Sequence, residues 1–233
     1  MKTNMKRKGF TLVELLVVIA IIVALAALSA PAILKQRKKA DMIQATNNAK
    51  QVYYTLVEFD GDQGSFPSQE TLDDLGQDVQ GASAQDANGL FAQLLLAGYI
   101  DSEEIFYAKG GASINKKPDN QFRTADEALE RGENGFGYVM LGTEALSTSN
   151  ASGIPVMMAP LDLDGAAAQA EFDPDPYDNK AVILRLDGSV KSERINKTAP
   201  RTVTIAGGNN LMETGQDTVW GELDEEPRIM LPR

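Results

Sequence analysis

Two sets of carboxylates in this chain sit where their placement calls for chemistry. The first is a single acid, Glu14, inside an apolar run whose residues 15–28 carry no polar side chain. A carboxylate there costs about 2.5–3.5 kcal/mol on membrane-insertion scales, so it needs a partner, and a cation is the partner that a low-dielectric medium favours most. The second set is Asp162, Asp164, Asp173, Asp175 and Asp178, in a loop-like stretch. Carboxylates two residues apart suit an oxygen-rich calcium site, although the closing glutamate of an EF-hand loop is missing. The plain alternative is a solvated acidic loop in an acidic protein, and calcium is the one cofactor these residues suggest.

Other chemistry is excluded by residue type. With no histidine and no cysteine, the chain cannot build a Ser-His-Asp or Cys-His arrangement or the usual zinc ligand sets. It holds no G-x-x-x-x-G-K-S/T loop to cradle phosphate, and no pattern places paired carboxylates across a cleft as glycosidases do. An enzyme is not expected. The formal net charge of −11 argues against a nucleic-acid surface, which needs clustered Lys and Arg. No disulfide can staple an exported domain.

The element that carries Glu14 is long enough to cross a membrane. If residues 10–34 are helical, they reach about 37 Å, against a hydrocarbon core of roughly 30 Å. A basic start, an apolar centre and the small residues Ala26, Ala27, Ser29 and Ala30 also fit a removable secretory signal, and an ordinary single-span anchor is a further reading. Neither needs Glu14. Basic residues do not settle orientation, since Lys2, Lys6, Arg7 and Lys8 before the run are matched by Lys35, Arg37, Lys38 and Lys39 after it.

Gly9-Phe10-Thr11-Leu12-Val13-Glu14-Leu15 resembles the class III signal of type IV pilins and type II secretion pseudopilins. The resemblance implies cytoplasmic-side cleavage by prepilin peptidase between Gly9 and Phe10, N-methylation of the Phe10 amine, and loss of residues 1–9 as a leader. It implies that residues 10–34 stay as a transmembrane and assembly helix, with Glu14 pairing with the Phe10 amine of a neighbouring subunit. Pro31 matches the proline that often kinks this helix; a bend at the membrane exit is the other reading, since proline removes one backbone hydrogen bond and clashes with the Ala27 carbonyl. The implied protein is a pseudopilin of a type II secretion pseudopilus. Type IV pilus pilins are the alternative, and many of those carry a C-terminal disulfide loop that this chain cannot form. The implied partners are the peptidase, other pilin-like subunits and an inner-membrane assembly platform. A cleavage site facing the cytoplasm puts the protein in the inner membrane with its C-terminal domain in the periplasm or outside the cell. A monomeric anchored binding module is the reading from another class.

Beyond the span, residues 35–59 lack Pro and Gly. Met42, Ala45, Ala49, Val52, Leu56 and Phe59 recur at spacings of three and four, which predicts a continuing helix whose apolar stripe, widened by Ile43, Tyr53 and Val57, lies along a globular domain. A two-stranded coiled coil is the alternative. The domain is expected over residues 60–206, with a connection over 60–87 that holds a helical turn at 70–75, a helix capped by Asp86 or Asn88 and ended by Gly98, and a short helix opening at Thr124 with Glu127 in capping-box spacing. Strands are expected at 136–141, 154–158, 181–186, 189–195 and 202–205, with Asp187-Gly188 as a two-residue hairpin turn. Residues 207–233 read as an acidic tail anchored by Trp220. The fold class is therefore α+β: a long helix running from membrane to soluble domain, packed on a small antiparallel sheet, the lollipop that the pilin resemblance also implies. Some pilin-like proteins end in a histidine, nine residues and Asp-Gly; here Tyr177 stands where that histidine would be. The major pseudopilins also carry a calcium loop near their C-terminal strands, which adds to the reading of the aspartates.

Overall fold

The computed structural model describes residues 11–111, 113–114, 116–163, 171–198, 200–205, 208–221 and 226–233. The chain divides at Lys38/Lys39 into two units. It is an α+β protein: a long N-terminal helix is followed by a small antiparallel sheet domain, the pilin-like architecture.

Helix α1, Leu12–Gln63, runs without interruption past Pro31. In the first unit every side chain of residues 12–34 is exposed, as an apolar span without its lipid must be. The part of α1 in the second unit buries the stripe expected of it: Ala45, Ala49, Val52, Leu56 and Phe59 are within 1% of full burial. Burial of Leu56 and Phe59 is worth about 1.5–3 kcal/mol each. The stripe is narrower than its sequence suggests, because Ile43 and Val57 face outward at 49% and 37% exposure. Polar side chains fix the helix to the rest of this unit. Asn48 donates to the carbonyls of Glu104 and Tyr107 at 2.9 and 2.8 Å, and Tyr53 donates to that of Leu186 at 2.9 Å. The helix also outlasts the expected end at residue 59: the Asp60 carboxylate accepts from the Thr148 hydroxyl and amide, which holds the last turn. Gly64 then closes it, with φ +81° and its amide on the Asp60 carbonyl, a left-handed stop that glycine takes without strain.

Two short helices follow. In α2, Gln69–Leu75, Ser68 and Thr71 form a reciprocal capping box. In α3, Ala87–Leu96, Asp86 is the N-cap through the Gly89 amide, and Asn88 is instead buried. A 3₁₀ turn, Glu103–Phe106, leads toward the sheet. The short helix expected at Thr124 does not form: residues 125–129 make turns, with Leu129 in the left-handed region at φ +52°.

The strands are β1 Gly137–Leu141, β2 Pro155–Ala159, β3 Leu161–Asp162, β4 Glu171–Phe172, β5 Lys180–Arg185, β6 Val190–Arg194 and β7 Pro227–Met230. Five form an antiparallel sheet in the order β6-β5-β2-β1-β7, and β3 pairs with β4. Residues 202–205 make only isolated bridges, Ile195 to Val203 and Thr204 to Asn210. Two boundaries differ from the sequence reading. The compact unit opens at Lys39 rather than at residue 60. The expected tail, 207–233, supplies β7, which pairs Tyr138 with Met230 and Leu141 with Pro227 along β1, while Trp220 is buried and donates to the Leu211 carbonyl at 2.8 Å.

The β5–β6 hairpin also departs from expectation. Its pairing ends at Leu184 with Val190, the Arg185 amide donates to Ser189, the Gly188 amide donates back to Arg185, and only Gly188 has positive φ, +74°. This is a three-residue loop built on a type I turn with a left-handed glycine, not a two-residue turn with two positive φ angles. A Cβ on Gly188 would stand 2.6 Å from Tyr53 Cε1. Gly188→Ala is therefore expected to destabilise the protein by about 1–3 kcal/mol, through φ strain and through displacement of Tyr53 from the Leu186 carbonyl. Thermal denaturation measures it, and Asp187→Ala at the neighbouring position should cost less.

Candidate functional site: the apolar N-terminal helix

Glu14 lies in the first turn of α1, and within a single chain it already has a role. One carboxylate oxygen, Oε2, accepts from the Thr11 amide at 2.8 Å and the Thr11 hydroxyl at 2.7 Å, while the Glu14 amide donates to the Thr11 hydroxyl at 3.3 Å. Thr11 and Glu14 thus form a capping box that satisfies amides at the helix start. The Thr-x-x-Glu spacing signals this cap in the sequence, beside the stronger signal of an acid in an apolar run. Around Glu14, Leu12, Val13, Leu15 and Leu16 are 55–79% exposed. The carboxylate is therefore held at the end of a helix whose whole circumference is apolar and uncovered. Among the described residues no donor reaches its Oε1.

Pro31 lies within α1. Two residues before it, the Ser29 hydroxyl donates to the carbonyls of Leu25 at 2.9 Å and Ala26 at 3.2 Å, which is how a helix in lipid keeps polar groups paired near a proline. Gly9 and Phe10, the expected processing pair, lie outside the described residues.

Of the aspartates expected to bind calcium, Asp162, Asp173, Asp175 and Asp178 are described. Asp162 is bound by the Arg201 guanidinium, which also donates to Glu171 at 3.0 Å. Asp173 accepts the Asp175 amide at 3.0 Å, and burial raises its pKa above the ordinary carboxylate value. Asp178 takes a left-handed φ of +55°. Asp164 lies outside the described residues. Among the described residues no three of these carboxylates converge on one point, and the Arg201 guanidinium supplies positive charge to Asp162. Tyr177, at the position of the family's histidine, is 1% exposed, and burial pushes its phenol pKa up.

The family model for the prokaryotic N-terminal methylation motif matches residues 4–30. This segment is a class III prepilin signal, the mark of the type IV pilin and pseudopilin family. No curated protein and no solved structure matches the chain. The match covers the basic start, Gly9, Phe10, Glu14 and most of the apolar run, the same residues whose chemistry stands out in the sequence. A prepilin signal followed by an apolar helix is the pattern of a membrane-anchored, single-pass protein. The motif also implies processing by a peptidase, methylation, and assembly with other pilin-like subunits. It points to a structural subunit.

Proposed function

We propose that this prepilin is cut between Gly9 and Phe10, methylated on the Phe10 amine, held in the inner membrane with the unit from Lys39 onward outside the cytoplasm, and assembled into a type II secretion pseudopilus. The observation that carries the reading is Glu14: a carboxylate whose Oε1 meets no donor among the described residues, at the head of a 23-residue apolar segment, 12–34, with no buried side chain. Such a surface is stable in lipid, and in a filament only if other copies cover it. The ion pair between Glu14 and a neighbour's Phe10 amine fixes the axial register, because two opposite charges attract strongly in a low-dielectric core and either one alone is costly. Methylation leaves the amine its charge. The work is mechanical: the helices pack, Glu14 sets the register, and the outer domain makes the filament surface. The lack of a C-terminal disulfide favours the pseudopilus over a type IV pilus.

Co-expression with a prepilin peptidase tests the first step. The chain should lose residues 1–9 while staying in the membrane fraction. An unprocessed chain in the presence of an active peptidase would refute it.

A further inference from the structure

We propose that Glu103, Asp119 and Glu133 form a site for a divalent cation of the hard, oxygen-binding class that calcium represents. One carboxylate oxygen from each of the three lies within 4.8 Å of the others. The site is remote in sequence from the aspartates at 162–178 and does not depend on the filament reading.

Three segments are tied together here. The Asn120 side chain accepts from the Glu103 amide at 2.8 Å and from the Ser102 hydroxyl at 3.2 Å, which brings the 119–120 turn against the start of the 3₁₀ turn. Glu103 Oε1 accepts the Leu129 amide at 2.7 Å, and Glu133 Oε2 accepts the Glu130 amide at 2.7 Å. The second oxygen of Glu103 is the unusual feature. Glu103 and Glu133 are both fully buried; Glu133 Oε1 meets the Lys116 ammonium, whereas Glu103 Oε2 takes no hydrogen bond among the described residues.

Lys116 does not account for this. Its ammonium reaches Glu130, Glu133 Oε1 at 3.0 Å and Asp119 at 4.0 Å. Among the described residues no Lys or Arg ion-pairs with Glu103. Three carboxylates thus share one ammonium, and the fully buried Glu103 is left out. A buried carboxylate oxygen without donor or cation is strongly unfavourable; burial raises the pKa of Glu103, and the nearby charge of Glu133 adds to the effect. A cation between the three carboxylates removes that cost. Calcium fits better than magnesium, because it accepts irregular sets of six to eight oxygens and sheds water readily, whereas magnesium dehydrates reluctantly. Asp119 is exposed, so water completes the shell on that side.

The test is a CaCl2 titration of the full-length chain in detergent, read by thermal denaturation and by calorimetric binding. Saturating calcium, up to about 10 mM, should raise Tm by about 5 °C and bind at one site. Asp119→Asn, a solvent-exposed change, should keep the calcium-free Tm and lose both signals. Glu103→Gln should lose them too, with a calcium-free Tm no lower than that of the wild type, since it removes a buried charge. Asp173→Asn should leave both signals intact. No binding to the wild type, full signals in Asp119→Asn, or their loss in Asp173→Asn alone would each overturn the proposal. So would an equal response to MgCl2 in the wild type and in Asp119→Asn, which marks a general salt effect.

Discussion

A Glu14→Leu prepilin is expected to enter the membrane at least as well as the wild type and to form no filaments. Replacing the acid removes an insertion cost of about 2.5–3.5 kcal/mol, so anchoring cannot suffer. In the single chain the change forfeits the bonds to Thr11, a capping loss of about 1 kcal/mol that frays one turn of a 52-residue helix. In a filament the loss is larger, because it leaves a neighbour's Phe10 ammonium buried without its counter-ion, at a cost of several kcal/mol per subunit. Glu14→Gln separates the two roles. The amide oxygen can still accept from Thr11 but carries no charge, so it should keep the helix start and still block assembly. Filament yield in the sheared fraction, set against the amount in the membrane fraction, reads both variants. Normal filaments from Glu14→Leu would favour a monomeric anchored binding module, which gains nothing from the acid.

The second large effect lies in the soluble unit. Phe91, on α3, is fully buried between Phe106, with ring centroids 5.0 Å apart, and Tyr138 of β1, 5.4 Å away and edge-on at 74°. Tyr138 in turn donates to the Pro67 carbonyl at 3.0 Å, so this aromatic group joins α3, the 3₁₀ turn, the sheet and the connection after α1. Phe91→Ala should cost about 3–5 kcal/mol, which for a unit of this size lowers Tm by about 10–15 °C. Phe91→Leu should cost much less, since it keeps most of the volume. A Phe91→Ala protein melting within about 2 °C of the wild type would mean that this core is not continuous.

The sequence is most legible where one element suffices to read it. The apolar run, the stripe from Ala45 to Phe59, the Asp86 cap and four of the main-sheet strands announce themselves by local pattern. What stays hidden depends on distant partners. Residues 227–230 read as tail because four residues beginning with proline show no alternation; they become β7 only by pairing with β1. The helix signalled by Thr124 and Glu127 fails because the Leu129 amide goes to the Glu103 carboxylate, 26 residues away, with Leu129 left-handed. The same contact explains why Glu103, Asp119 and Glu133 escape a search by spacing: three segments bring them together. The aspartates at 162–178 are close in sequence, but the bonds of Arg201 to Asp162 and Glu171 are displayed by no spacing rule.

The central claim is that Glu14 serves a processed N-terminus at the same depth in the membrane. Intact-mass and N-terminal fragment spectra of the protein purified from membranes of its native host decide it. The account predicts a polypeptide that begins at Phe10 and carries one methyl group on its α-amine. A chain that still begins at Met1, or one trimmed beyond Ala30, would contradict it, because no cation would then stand where Glu14 can reach.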